Sequence, residues 1–100
     1  MTEAHQMYVK VVQFTSTTMM QKEMLGAYLQ NSWFPKLITL GAISCRYVSP
    51  EKSKSLMINM FPDEETGMSA VMGREERRKE LMQNHKLTMF RGYSEFYLEK

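Results

Sequence analysis

The sequence predicts one α+β domain with the element order βαββαβ, a four-stranded antiparallel sheet with two helices on one of its faces. Three observations predict it. Four runs rich in β-branched and aromatic residues, at 7–14, 42–48, 55–61 and 87–99, read as strands. Two intervening stretches repeat apolar residues at three- and four-residue steps, the signature of a helix buried along one stripe. The 100 residues contain no linker, internal repeat or low-complexity segment, so residues 1–100 read as a single domain.

The elements follow in order. The first strand, MYVKVVQF, ends at the Thr15-Ser16-Thr17-Thr18 cluster. Small hydroxyl side chains there can accept from the free N–H groups of a new helix, and Thr18 with Gln21 has capping-box spacing. The first helix runs to about Ser32, with Met20, Met24, Leu25, Tyr28 and Leu29 on its apolar stripe. Gly26 weakens that helix by about 1 kcal/mol against Ala, which suggests a close packing contact. Pro35 is expected to bar the helix from continuing normally, and Gly41 to supply the turn into the second strand. Ser49-Pro50-Glu51-Lys52 is a turn, so the second and third strands form a hairpin.

Pro62 stops the third strand. Asp63 is a good N-cap, and Glu64 and Glu65 put negative charge on the positive end of a helix dipole. This second helix is expected to reach about His85, with the charged run Arg74-Glu75-Glu76-Arg77-Arg78-Lys79-Glu80 in its middle. Gly92, inside the fourth strand, suggests a bulge or a close backbone contact.

Composition excludes several function classes. Cys45 is the sole cysteine, so no disulfide forms within the chain, and a lone thiol fits a reducing, cytoplasmic setting. Cys45, His5 and His85 lack the spacing of zinc ligands, and no metal or cofactor is expected. No apolar run approaches the roughly 20 residues that span a bilayer, so no membrane partner is expected. The net charge of +2, with acids and bases interleaved, gives no electrostatic case for nucleic acid. Eleven methionines supply an adaptable core or an adaptable pocket lining.

The sheet predicts a homodimer. Two helices cover one face of a four-stranded sheet, yet both faces carry large apolar side chains. Val9, Val11, Leu56, Ile58, Met60, Phe90, Phe96 and Leu98 form one alternating set, assigned to the helix-covered core. Tyr8, Val12, Phe14, Met57, Phe61, Met89, Tyr93 and Tyr97 form the other, mixed with Lys10, Asn59, Arg91 and Glu95. So much exposed apolar area is uncommon on monomers, and a second copy of the same sheet would cover it through a two-fold contact.

In element order and length, in the opening strand with its Thr/Ser-capped helix, in the segment from Phe34-Pro35-Lys36-Leu37 to Gly41-Ala42-Ile43, and in the junction Met60-Phe61-Pro62-Asp63-Glu64-Glu65, the chain resembles the dimeric α+β barrel superfamily, in particular the antibiotic biosynthesis monooxygenase-like domains. The resemblance spans nearly the whole chain and implies a ferredoxin-like fold whose sheets pair into a barrel. It implies two functional readings: a cofactor-independent monooxygenase-like enzyme acting on a small aromatic or anionic molecule, or a non-catalytic ligand-binding or interaction module. Haem-degrading members carry an Asn on the first strand and a Trp and a His on the second helix. Here the first strand has no Asn and Trp33 ends the first helix, so the resemblance does not extend to that chemistry.

The candidate residues follow from types and spacing. Arg74 and Arg78 share a stripe of the second helix with Gly67, Val71, Leu81 and His85, and two guanidinium groups there could hold a carboxylate or phenolate. The plainer reading lets their stems cover the core with their heads in water. His85, expected at the helix C-terminus, is either a dipole-stabilised cation or a general base. Trp33, Tyr28 and Phe34 cluster at the end of the first helix, as pocket wall or ordinary core. Lys10, Asn59, Arg91 and Tyr93 are polar groups on strands that either bind a ligand or pair with Glu95 and symmetry mates.

Overall fold

The computed structural model describes residues 7–70, 85–96 and 98. Four strands, β1 (Tyr8–Ser16), β2 (Ser44–Val48), β3 (Lys54–Phe61) and β4 (His85–Tyr93), form one antiparallel sheet in the order β2-β3-β1-β4. Between β1 and β2 lie α1 (Met19–Tyr28), a π-turn (Leu29–Trp33) and α2 (Phe34–Thr39); α3 (Glu64–Ser69) follows β3. Fold class, strand order and pairing are those of a ferredoxin-like domain. No helix among the described residues is long and apolar enough to cross a membrane.

The start of each helix follows from its cap. Thr18 sits in extended backbone, and its hydroxyl accepts from the Gln21 N–H at 3.1 Å. The Asp63 carboxylate accepts from the Thr66 N–H at 2.7 Å, with Glu64 and Glu65 in the first turn. Each cap satisfies a donor that the helix leaves free.

Pro35 does not end the first helix. Backbone angles stay helical through Tyr28, Leu29, Trp33 and Phe34. Proline lacks an N–H, and its ring crowds the carbonyl four residues back. The chain widens by one residue just upstream, so the Phe34 N–H reaches the Leu29 carbonyl five residues back, and Pro35 falls in the opening turn of α2. The stop comes at Gly41, whose φ of 111° is open to glycine. The Gly41 N–H binds the Ile38 carbonyl and the Ala42 N–H the Leu37 carbonyl, a Schellman ending.

The core lies between the sheet and these helices, and its polarity corrects the sequence reading. Tyr8, Val12, Phe14, Met57 and Phe61 are buried with Leu25, Leu29, Trp33, Leu37, Ala42 and Ala70. The set that includes Val9, Val11, Leu56, Ile58, Met60 and Phe90 lies on the opposite, open face; the two assignments are exchanged. Lys10, Asn59 and Arg91 made the true core face read as the more polar one, and alternation alone does not say which face meets the helices.

Two glycines are close-packing sites. The Tyr47 ring lies 3.3 Å from where a Gly26 Cβ would stand, and the Tyr8 ring fills the space a Gly67 Cβ would take. Gly92 marks neither a bulge nor a contact: β1–β4 pairing is continuous from Tyr8–Tyr93 to Ser16–His85, and nothing lies within 4 Å of its Cβ direction. The described part of the second helix is α3, and the stretch expected to continue it to His85 lies outside the described residues. His85 is not a helix end; it opens β4 opposite Ser16.

Candidate functional site

Strand pairing places one polar row across the helix-covered face. Arg91 is opposite Lys10, Lys10 opposite Asn59, and Asn59 opposite Cys45. Apolar rows flank it: Tyr93, Tyr8 and Phe61 on one side, Met89, Val12, Met57 and Tyr47 on the other. Directly opposed side chains have Cβ atoms about 4.5–5.5 Å apart, so Lys10 and Arg91 are neighbouring like charges, an arrangement that is unfavourable without a counter-charge. Among the described residues no carboxylate pairs with either.

Helix α3 closes one end of this row. Tyr8 Oη and Arg91 Nη1 each lie 3.6 Å from Met68 Sδ, which accepts from both. The Tyr93 hydroxyl donates to Glu64, and the Tyr93 ring meets Tyr8 edge to face at 5.6 Å. Lys10 Nζ stands 5.6 Å from the centroid of the Phe61 ring, within cation–π range.

The electrostatics follow from this layout. Burial, and then the Arg91 charge, lower the pKa of Lys10 below that of an ordinary lysine. Burial pushes the Cys45 thiol up, so it is a weak nucleophile. The hydrogen bond to Glu64 raises the Tyr93 phenol, with smaller contributions in the same direction from burial and nearby charge. Asn59 is 3% exposed, and its Oδ1 has no donor among the described residues. Buried polar groups are nearly always paired, so the unpaired Asn59 acceptor beside two cations is the unusual feature of this face. Among the described residues no three His, Cys, Asp or Glu side chains gather as metal ligands.

Of the sequence-predicted residues that are described, Trp33 and Tyr28 meet in the core and His85 opens β4. Trp33 is buried in the core, with no acceptor for Nε1 among the described residues; Tyr28 packs on that core, half-buried. Arg74 and Arg78 lie outside the described residues. His85 is buried, its ring edge-on to Phe14 at 6.1 Å. It is six residues along β4 from Arg91, about 20 Å at 3.3 Å per residue. Tyr8, Glu64 and Met68 escape a reading by sequence, since nothing in the spacing joins them to Lys10 and Arg91. The available signal was the charges that interrupt apolar alternation in two strands.

No family model and no curated protein sequence matches the chain. Solved structures do. A dimeric ferredoxin-like protein from an uncultured marine organism superposes with a TM-score of 0.76 at 12% identity, covering 95% of this chain and 93% of that one. SnoaB from Streptomyces nogalater, a cofactor-independent oxygenase, gives 0.74 at 12% identity over 95% and 99%. A Nitrosomonas europaea protein named for the antibiotic biosynthesis monooxygenases gives 0.73 at 10% identity over 96% and 97%. The chain therefore has the ferredoxin-like fold that dimeric ferredoxin-like proteins and antibiotic biosynthesis monooxygenase-like proteins share.

Proposed function

We propose that this protein is a homodimer that holds a small aromatic or anionic molecule against the helix-covered face of its sheet and oxidises it with molecular oxygen, without a resident cofactor. The observation that carries the reading is the row Arg91–Lys10–Asn59, two cations and an orphan acceptor set among aromatic rings. SnoaB, of the same fold, is named as a cofactor-independent oxygenase. The dimer is supported by the open face, where Val9, Val11, Leu56, Ile58 and Met60 are only half covered and Val48 and Phe90 are exposed. The marine protein of this fold is described as dimeric.

The chemistry needs an electron-rich anion shielded from water. Lys10 and Arg91, opposed across β1 and β4, stabilise the negative charge left on the substrate when it loses its proton. Tyr8, Tyr93 and Met68 wall the anion while oxygen reacts. Trp33 and Tyr28 back this face from the helices. His85 is too far along β4 to act on the same molecule.

Oxygen uptake with dihydroxynaphthalenes in air tests this reading. Wild-type protein should consume oxygen, Lys10→Gln should slow uptake by about 100-fold, within the range for losing one group that stabilises developing charge, and His85→Ala should retain it. Binding without uptake would make the protein a ligand-binding module. Uptake lost in His85→Ala but kept in Lys10→Gln would move the site.

A further inference from the structure

Taking the ligand to sit on this face, as proposed above, we infer its chemical class from the three polar side chains: an aryl carboxylate that carries a hydroxyl next to its carboxylate. Lys10 and Arg91 are opposed across β1 and β4, and no described carboxylate neutralises them. A bound carboxylate relieves their repulsion and accepts from both, with charge assistance that a neutral ligand lacks. Arg91 Nη1 and the Tyr8 hydroxyl otherwise share one sulfur at 3.6 Å, a weak acceptor that a carboxylate oxygen outcompetes.

Asn59 adds the second requirement. It lies opposite Lys10 on β3, is 3% exposed, and its Oδ1 lacks a donor among the described residues. A ligand that fills this place well must bring a donor, so a hydroxyl beside the carboxylate satisfies Asn59 while the carboxylate meets the cations. The rings of Tyr8 and Tyr93 in the adjoining row set the third requirement, an aromatic body.

Calorimetric titration of the full chain with mandelate, phenylacetate, benzyl alcohol and lactate separates the three requirements, and lactate should bind more weakly than mandelate for want of the ring. Mandelate should bind, phenylacetate several-fold more weakly for want of the hydroxyl, and benzyl alcohol weakest for want of the charge. Lys10→Gln and Arg91→Gln should each weaken mandelate about tenfold or more, the size expected for a charge-assisted hydrogen bond. Asn59→Leu should erase the preference for mandelate over phenylacetate; a purely structural role for Asn59 would weaken both alike. Circular dichroism checks that each variant folds. Mandelate binding that is absent in wild type, or indifferent to Lys10→Gln and Arg91→Gln, overturns this inference. If dihydroxynaphthalene oxidation persists under that outcome, the proposed function stands and only the ligand class falls.

Discussion

Lys10 sits at a half-buried place on the core face, beside Arg91, where an ordinary protein would place an apolar residue. Its lowered pKa has a stability consequence. Between the depressed folded value and the ordinary lysine value, the unfolded chain binds more protons than the folded one, so stability rises with pH through that window. The raised Cys45 and Tyr93 pKa values act oppositely, so the test is the difference: between pH 8 and pH 10 urea unfolding should show a smaller rise, or a steeper fall, of stability in Lys10→Met than in wild type. A bound carboxylate should raise the Lys10 pKa, visible as a shift of its side-chain carbon resonance in an NMR titration. Cys45 behaves oppositely. Burial raises its thiol pKa, so at pH 8 a disulfide reagent should label it more slowly than free cysteine. Gly67 has no room for a methyl group against Tyr8. Gly67→Ala should lower stability by about 1–3 kcal/mol, read as a fall in the urea midpoint.

The helical stretch from Met19 to Thr39 shows what a sequence discloses about an element and what it hides. Its N-cap at Thr18 and the turn at Gly41 were legible, because a hydroxyl acceptor and a residue free to take positive φ are local chemistry, while its reach beyond Ser32 was not. The passage through Pro35 was not, because it depends on a one-residue widening that core packing of Leu29, Trp33 and Leu37 stabilises. Strand identities were legible from alternation, whereas the face that meets the helices was not. Polar residues at a site break the pattern that would have identified the core. The same break is what, once strand register is known, picks out the candidate site. Removing either end signal should have a measurable effect. Thr18→Ala should destabilise by about 1 kcal/mol, and Gly41→Ala by about 1–2 kcal/mol from forced left-handed backbone, with added crowding against Thr66.

At the scale of the whole molecule, the helices cover one face of the sheet and leave Val9, Val11, Val48, Leu56, Ile58, Met60 and Phe90 on the other. Sequence reasoning finds that one sheet face exceeds what the helices hide, but assigns the wrong face to that role. The excess itself does not depend on which face it is, and the proposed dimer therefore survives the exchange. Gly92, open above its backbone on this face, leaves space for a partner's side chain. Each large apolar side chain fully buried on pairing contributes roughly 1.5–3 kcal/mol before association entropy is subtracted. Light scattering coupled to size exclusion tests the pairing most directly, on wild type and on Ile58→Asp, which puts a charge at the centre of the open face. Wild type should run at twice the subunit mass, and Ile58→Asp at the single subunit mass with native circular dichroism. Wild-type protein at the single subunit mass at high concentration would overturn the pairing.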